Sequence, residues 1–271
     1  MNAAADLLFV QFVPVCRSCS FFLETMSKDK IIGIKPILEA LKAGRPVQRV
    51  LVSEQRKQDR DVQTILRLAG ESGAEVRFVN REALNREAPG ANHQGMIALA
   101  TAKQYASLND ILQVPVQQGK APLFLVLDGV EDPRNLGAIL RTADAAGVHG
   151  VIIPERRATG LTETVAKASA GAVEHVPVVK VVNIVNTLEE LKKAGVWVVG
   201  AEADGDTVYW DADFVRPTAL VLGGEDRGVR RLVRERCDYL VSLPLLGKIS
   251  SLNVSVAAGI LLYETLRQRS R

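Results

Sequence analysis

From residue 123 onward, short and almost uninterrupted apolar runs recur between stretches of helical spacing, and this alternation constrains the fold more than any other feature. The runs are Leu123–Leu127, Val151–Ile153, Val178–Val182, Val196–Val199, Ala219–Leu222 and Tyr239–Leu243. A strand with one wet face alternates apolar and polar residues, whereas a continuous run marks a strand buried on both faces, as in parallel sheets covered by helices. Stretches 135–147, 161–170, 184–194 and 229–236 have helical spacing, and a long helix closes the chain from about Leu252 to Arg267. The spacing predicts an α/β unit with a mostly parallel sheet over residues 122–271.

A different alternation precedes it. Ile34 to Ala43 reads as a helix stopped at Gly44, Val47 to Val52 as a strand, and Val62 to Ala69 as a helix. Val76 to Val79 is a short strand, Asn80 caps a further helix ending near Pro89-Gly90, and Gly95 to Thr101 is the last strand. This predicts a small three-layer αβ domain over residues 27–105. Residues 102–121 are polar and weakly periodic, with no strong element, and within them 106–121 is the expected linker. Residues 1–26 look foreign to the rest. Their apolar stretch from Leu7 to Val15 follows Asp6 and no basic residue, and Cys16 and Cys19 form a lone CxxC. The stretch reads as an upstream extension, with Met26 as the natural start; an export signal is the other reading.

With 47% hydrophobic and 24% charged residues among 271, the composition excludes disordered, collagen-like and coiled-coil chains. No apolar run approaches the roughly 20 residues that cross a bilayer. Three cysteines make no disulfide framework and no paired zinc-ligand set, so the expectation is the reducing cytoplasm and no metal. Charge is unevenly divided: residues 27–105 hold 14 Lys/Arg against 9 Asp/Glu, residues 106–271 hold 19 against 20. A basic front domain on a near-neutral rear domain fits a nucleic-acid-binding module feeding a catalytic one, and equally a solvated surface with a modest bias.

Three segments place unusual residues just past predicted strands, where open parallel sheets bind ligands. In the first, Asp128 to Ala143, Asn135 opens a helix and Arg141 follows six residues on. Alone, the pair reads as a capping asparagine and a surface arginine, although a substrate meets both if Asn135 sits at the helix start. In the second, Gly223-Gly224-Glu225-Asp226-Arg227-Gly228 breaks a buried strand into glycines that admit close backbone approach. Neither GxGxxG nor a phosphate-binding GxxxxGK[ST] is present, which removes the nicotinamide-dependent oxidoreductase reading. In the third, Ser250, Ser251, Asn253 and Ser255 crowd the start of an apolar helix. They serve as caps, but Asn253 and Ser255 inside the first turns are indifferent helix formers, which hints at a second task.

Together these loops resemble the three motifs of the SpoU/TrmH branch of the SPOUT RNA methyltransferases: NLGAILRTADAAG, GGEDRG and SSLNVSVAAG stand in order and at family-like distances. GIKPILEALKAG, VQRVLVS and HQGMIA resemble the small ribosomal-protein-like substrate-binding domain that some members carry. The resemblance spans residues 27–271. It implies a trefoil-knotted rear domain and S-adenosylmethionine as cofactor, held largely by backbone groups near Gly223, Leu243 and Leu252. It further implies methyl transfer to the ribose 2′-oxygen of a guanosine in 23S ribosomal RNA. Arg141 would be the central catalytic residue, with Asn135, Glu225, Ser251 and Asn253 around it. It implies a homodimer through the methyltransferase domain, with Val256, Ala257, Ile260, Leu261 and Leu262 of the last helix at the interface; burial within one subunit suits the same letters. Arg45, Arg49, Arg56, Lys57 and Arg60 are the candidate RNA phosphate contacts, joined by His93 and Gln94, for which a structural turn before the last strand is the competing reading. Rival functions are a relative acting on transfer RNA and a non-catalytic RNA-binding protein, the latter disfavoured because all three motifs are intact.

Overall fold

The computed structural model describes residues 28–225 and 228–270. The expected extension at 1–26, and Asp226 and Arg227 of the glycine loop, lie outside the described residues. The front domain is built from β1 (Lys28–Ile32), α1 (Ile34–Lys42), β2 (Val47–Ser53), α2 (Arg60–Glu71), β3 (Glu75–Val79), α3 (Arg81–Glu87) and β4 (Met96–Thr101). Its sheet has the order β1-β4-β2-β3 and is mixed: β2 and β3 are parallel, and β4 is antiparallel to both β1 and β2. One face carries Ile37 and Leu38 of α1 and Val62 and Ile65 of α2 over Val50, Val52, Met96 and Ala98; the other packs Leu84 of α3 against Ile32, Leu51 and Ile97. Three layers therefore form as the pattern requires, with β1 added ahead of the first expected helix.

The rear domain continues with α4 (Leu108–Gln118), β5 (Leu123–Asp128), α5 (Pro133–Ala145), β6 (Gly150–Pro154), α6 (Glu163–Ala168), β7 (Val178–Val181) and α7 (Ile184–Lys193). It closes with β8 (Trp197–Ala201), β9 (Thr207–Val208), β10 (Thr218–Gly223), α8 (Arg231–Arg234), β11 (Tyr239–Ser242) and α9 (Val254–Arg269). Seven strands in the order β7-β6-β5-β10-β8-β11-β9 pair in parallel throughout. Both faces are buried, which explains the continuous apolar runs. Leu125, Leu127, Val151, Leu220 and Leu222 turn toward Leu136, Leu140, Ala258 and Leu261, while Phe124, Val126, Ile152, Val198 and Val221 turn toward Ile111, Leu188 and Val233.

Two expectations are corrected here. The segment expected to be a featureless linker contains α4, started by a reciprocal Ser107–Asp110 capping box and docked through fully buried Ile111. The contact is tight, because a Cβ on Gly150 of β6 would stand 2.8 Å from the Ile111 side chain. The helix expected over 229–236 is the single turn Arg231–Arg234. At the chain's end, Arg269 donates to the backbone oxygens of Ala121, Pro122, Phe214 and Arg216 at 2.7–2.9 Å, tying α9 to the entrances of β5 and β10.

The two domains share a buried ionic junction. Arg45, whose side chain is 7% exposed, donates to Glu174 at 2.7 Å and Asp29 at 2.6 Å, and Lys103 joins Glu174 at 3.2 Å. His175 and Glu39 meet at 2.9 Å beside it.

Candidate active site

Helix α5 begins one turn earlier than the sequence suggests. Asp132 is the N-cap, accepting from the Arg134 amide, and Pro133 occupies the first helical position with its preset φ. Asn135 is therefore released from capping and stands in the first turn with a free amide side chain. That amide reaches across the sheet's carboxyl edge: its Nδ2 donates to Glu225 Oε1 in the glycine loop, and its Oδ1 accepts from Asn253 Nδ2 at 3.0 Å. Asn253 is the N-cap of α9, not a residue inside the helix as its sequence position suggests; its Oδ1 accepts from the Ser255 amide at 2.9 Å and the Ser255 hydroxyl at 2.5 Å. One asparagine thus joins all three loops.

The glycine loop folds back on itself after β10. Gly224 donates to the Asp128 carbonyl at 3.0 Å and accepts from the Gly228 amide at 3.1 Å. A Cβ on Gly223 would lie 1.9 Å from the Gly228 carbonyl carbon, and one on Gly224 would lie 2.2 Å from the Gly129 carbonyl oxygen. These glycines are required by backbone on backbone, so the close approach they allow is first to the loop itself.

Between this loop and the segment after β11 lies a cleft at the carboxyl ends of β8, β10 and β11, the position where parallel sheets bind ligands. Leu222, Val241, Leu243 and Val254 form its apolar floor, Gly223 and Gly224 one side, and exposed Ser250, Ser251 and Leu252 its outer wall. Its volume is about 170 Å³. Of the expected cofactor contacts, Gly223, Leu243 and Leu252 all line it, as do Glu225 and Ser251. The sequence reading missed Glu202, just past β8, which lines the same cleft and accepts from the Val229 amide at 2.6 Å. Burial pushes its carboxyl above the usual carboxylate range. The only sequence cue was its place after a buried run. Arg141 lies on the exposed side of α5, next to Thr142, which faces Gly259 of α9; its guanidinium has no ion pair or hydrogen bond among the described residues and does not line the cleft.

Residues 122–263 match the profile of the SpoU rRNA methylase family, and residues 30–106 match that of the RNA 2′-O ribose methyltransferase substrate-binding domain. The chain belongs to the SpoU family. A putative TrmH family tRNA/rRNA methyltransferase, YacO of Bacillus subtilis strain 168, is 46% identical over 242 residues, covering 89% of this chain and 96% of the relative. Among solved structures, the SpoU methyltransferase AviRb of Streptomyces viridochromogenes superposes with a TM-score of 0.76 at 28% identity, covering 90% of each chain. The same enzyme in complex with the cofactor AdoMet gives a TM-score of 0.75 at 30% identity, covering 90% of this chain and 91% of that one.

For this SpoU methylase, the residues expected to touch RNA divide into two groups. Arg45 is consumed by the domain junction: nearly buried, it bonds Asp29, Glu174 and the Thr101 carbonyl, so it has no free face for a phosphate. His93, 5% exposed, is part of a turn; its Nδ1 accepts from the Gly95 amide at 2.9 Å and its Nε2 donates to Asn85 Oδ1 at 3.0 Å. Gln94 accepts from the Ile34 amide at 3.2 Å, stapling that turn to the start of α1. Arg49 pairs with Glu75 at 2.7 Å, Arg56 with Asp59 at 2.9 Å, and Lys57 sits 5.1 Å over the Phe78 ring, all at the surface. Arg60 is exposed. Arg56 also lines a polar hollow in the front domain with Gln55, Arg81, Asn85 and Asn92; Arg81 was not among the sequence candidates. Among the described residues no helix is long and apolar enough to cross a membrane, and no cluster of His, Cys, Asp or Glu could hold a metal.

Proposed function

We propose that this SpoU methylase transfers a methyl group from S-adenosylmethionine to the ribose 2′-oxygen of a guanosine in 23S ribosomal RNA, acting in the cytoplasm as a homodimer. The observation that carries the reading is the convergence of Glu225, Asn135 and Asn253 on one another at the mouth of an apolar cleft. The donor set fits the cofactor: Leu243 and Leu252 offer apolar faces to an adenine, the glycine loop offers close backbone groups, and Glu202 offers an acceptor to a hydroxyl or ammonium. When bound, S-adenosylmethionine supplies a methyl group on a sulfonium that needs no further activation.

The protein's work is therefore alignment and removal of one proton. Alignment alone supplies up to about 7–11 kcal/mol in favourable cases. The hydrogen bonds through Asn135 hold Glu225 and Asn253 in fixed positions, and Ser251 presents a hydroxyl on the outer wall. A guanidinium is a permanent cation and not a base, so Arg141 serves as a clamp on the acceptor's phosphate and stabilises the developing alkoxide, while the proton leaves through phosphate or water. The front domain holds RNA through Arg56 and Arg81 in its polar hollow and through Arg49, Lys57 and Arg60 at the surface, by phosphate and shape.

Helix α9 supports the dimer. Val254, Ala258, Leu261 and Leu262 are buried in its own subunit, which removes the last two from the expected interface, while Val256 (50% exposed) and Tyr263 (53%) face outward with Leu266. A second copy packed there would stand beside Arg141. The trefoil knot implied by the family resemblance belongs to the same reading.

The test incubates the protein with labelled S-adenosylmethionine and total RNA from a strain lacking the gene, then maps the modified nucleotide. A 2′-O-methylguanosine in 23S RNA is the expected product. Label in transfer RNA or on a base overturns the substrate assignment, and no label in any RNA overturns the enzyme reading.

A further inference from the structure

Adjoining the apolar cleft lies a second hollow, of about 390 Å³, over the carboxyl ends of β5 and β6 and the start of the loop after β10. Its charged lining is Asp128, Glu131, Arg156, Arg157, Glu225 and Arg230. Gly224, Glu225 and Gly228 line both hollows, so the two adjoin at these residues. The volume falls within the roughly 300–1,000 Å³ of small-molecule sites.

The charges in this hollow are not mutually satisfied. Fully buried Asp128 takes Arg230 as its partner, accepting from its Nε at 2.7 Å and from its amide at 2.9 Å. Glu225 accepts from Asn135. Arg156 and Arg157, by contrast, have no ion pair or hydrogen bond among the described residues and are exposed at the rim. Arg157 also has φ of 59°, a left-handed conformation that a side-chain-bearing residue rarely holds. It is kept there from both sides: the Glu155 amide donates to the Val181 carbonyl at 2.9 Å, and the Thr159 amide donates to the Val130 carbonyl at 3.1 Å. Strained non-glycine residues locked by their surroundings gather at functional sites. Two unpaired guanidiniums on a rigid turn make a site for a phosphate, to which arginine binds in a planar, bidentate manner.

We infer that this hollow receives the acceptor nucleotide itself, with its 5′ phosphate on Arg156 and Arg157 and its ribose against Gly224 and Glu225, where the hollow adjoins the donor cleft; the phosphate that Arg141 clamps is then the 3′ one. This deepens the methyltransferase reading and rests on it: the 2′-oxygen must reach the donor's methyl group directly, and the two hollows adjoin at Gly224 and Glu225.

Two arms test it. In the first, Arg156→Gln, Arg157→Gln, the double variant and Arg157→Lys are compared with wild type in initial rates on an RNA fragment that wild type methylates, across a salt series. The double variant is expected to raise the RNA KM at least tenfold and to flatten the slope of log KM against log salt by about 0.7 for each phosphate left without its arginine. Arg157→Lys should stay within threefold of wild type in KM, and all variants should bind S-adenosylhomocysteine within twofold of wild type. KM and slope unchanged in the double variant, or S-adenosylhomocysteine affinity falling in step with KM, overturns the inference. In the second, wild type is titrated with guanosine 5′-monophosphate and with guanosine by NMR. The nucleotide is expected to bind at least tenfold tighter than the nucleoside and to lose that advantage in the double variant; equal binding, or an advantage that survives, overturns the inference. A wild type that methylates no RNA while still preferring the nucleotide would sink the methyltransferase reading and leave the phosphate site standing.

Discussion

Asn253 donates its side-chain amide to the Asn135 carbonyl oxygen at 3.0 Å, across 118 residues of chain. The opposite end of the Asn135 amide is bound to Glu225, so this one side chain fixes the relative placement of three loops. Asn135→Ala removes both bonds, and a hydrogen bond to a charged group contributes about 1.5–3 kcal/mol. Methyl transfer is expected to fall about 10- to 100-fold in kcat. Asn135→Asp places a second carboxylate against Glu225 and should fall further. Single-turnover rates with saturating RNA check both, and an Asn135→Asp enzyme as active as wild type would contradict the network's role.

Arg141, exposed like Glu225 and Asn253, differs from these three in being unpaired among the described residues. Its substitution leaves no buried group unsatisfied. Arg141→Ala is expected to abolish turnover, to leave the thermal midpoint within about 1 °C because surface changes cost about 0.5 kcal/mol or less, and to leave S-adenosylhomocysteine affinity nearly intact. Kinetics, calorimetry and equilibrium binding on one preparation check it. Equal loss of turnover and donor affinity would move Arg141 from substrate to cofactor.

The sheet was readable because burial on two faces writes itself locally: Leu123 to Leu127 can be nothing wet. Helix α4 was hidden because Pro115 and a run of glutamines break the apolar period, although Ser107 and Asp110 carried the start signal of a capping box. The loops' chemistry was legible as motifs, but not their mutual contacts, since Asn135 finds its partners 90 and 118 residues away. Arg45 shows the same limit. In sequence it is one more cation in a basic domain; only the fold brings Glu174, 129 residues on, against it.

That junction carries a stability prediction. Glu174→Ala leaves the buried Arg45 guanidinium without its 2.7 Å partner and Lys103 without its 3.2 Å one. Removing one member of a buried pair costs about 3–5 kcal/mol. Asp29 and the Thr101 carbonyl still accept from Arg45, which sets the expectation at the lower end. Urea unfolding should show this loss in both Glu174→Ala and Arg45→Gln. RNA affinity of the folded Arg45→Gln enzyme should change less than twofold, whereas a phosphate contact would cost more.

Stability is also expected to depend on pH through two histidines. His149 is buried, its Nδ1 accepting from the Leu123 amide at 3.0 Å, and burial holds its pKa below the usual 6.5. Burial does the same to His93, aided by the nearby charges of Arg81 and Lys167. In both rings the hydrogen bond from a backbone amide requires a lone pair on Nδ1, so the native state holds the neutral form. The unfolded chain takes up a proton near pH 6.5, before the folded chain does. Between the unfolded pKa and the lower folded ones, the unfolded state binds more protons, and stability rises with pH there. The native state should therefore be insensitive to these groups above about pH 7 and lose stability as pH falls through 6.5. Unfolding free energies measured from pH 5 to 8 should show that slope, and His149→Gln, which retains a hydrogen-bond acceptor without a titrating ring, should flatten it. A slope unchanged in His149→Gln and in the His93→Gln/His149→Gln double variant would place the acid sensitivity elsewhere.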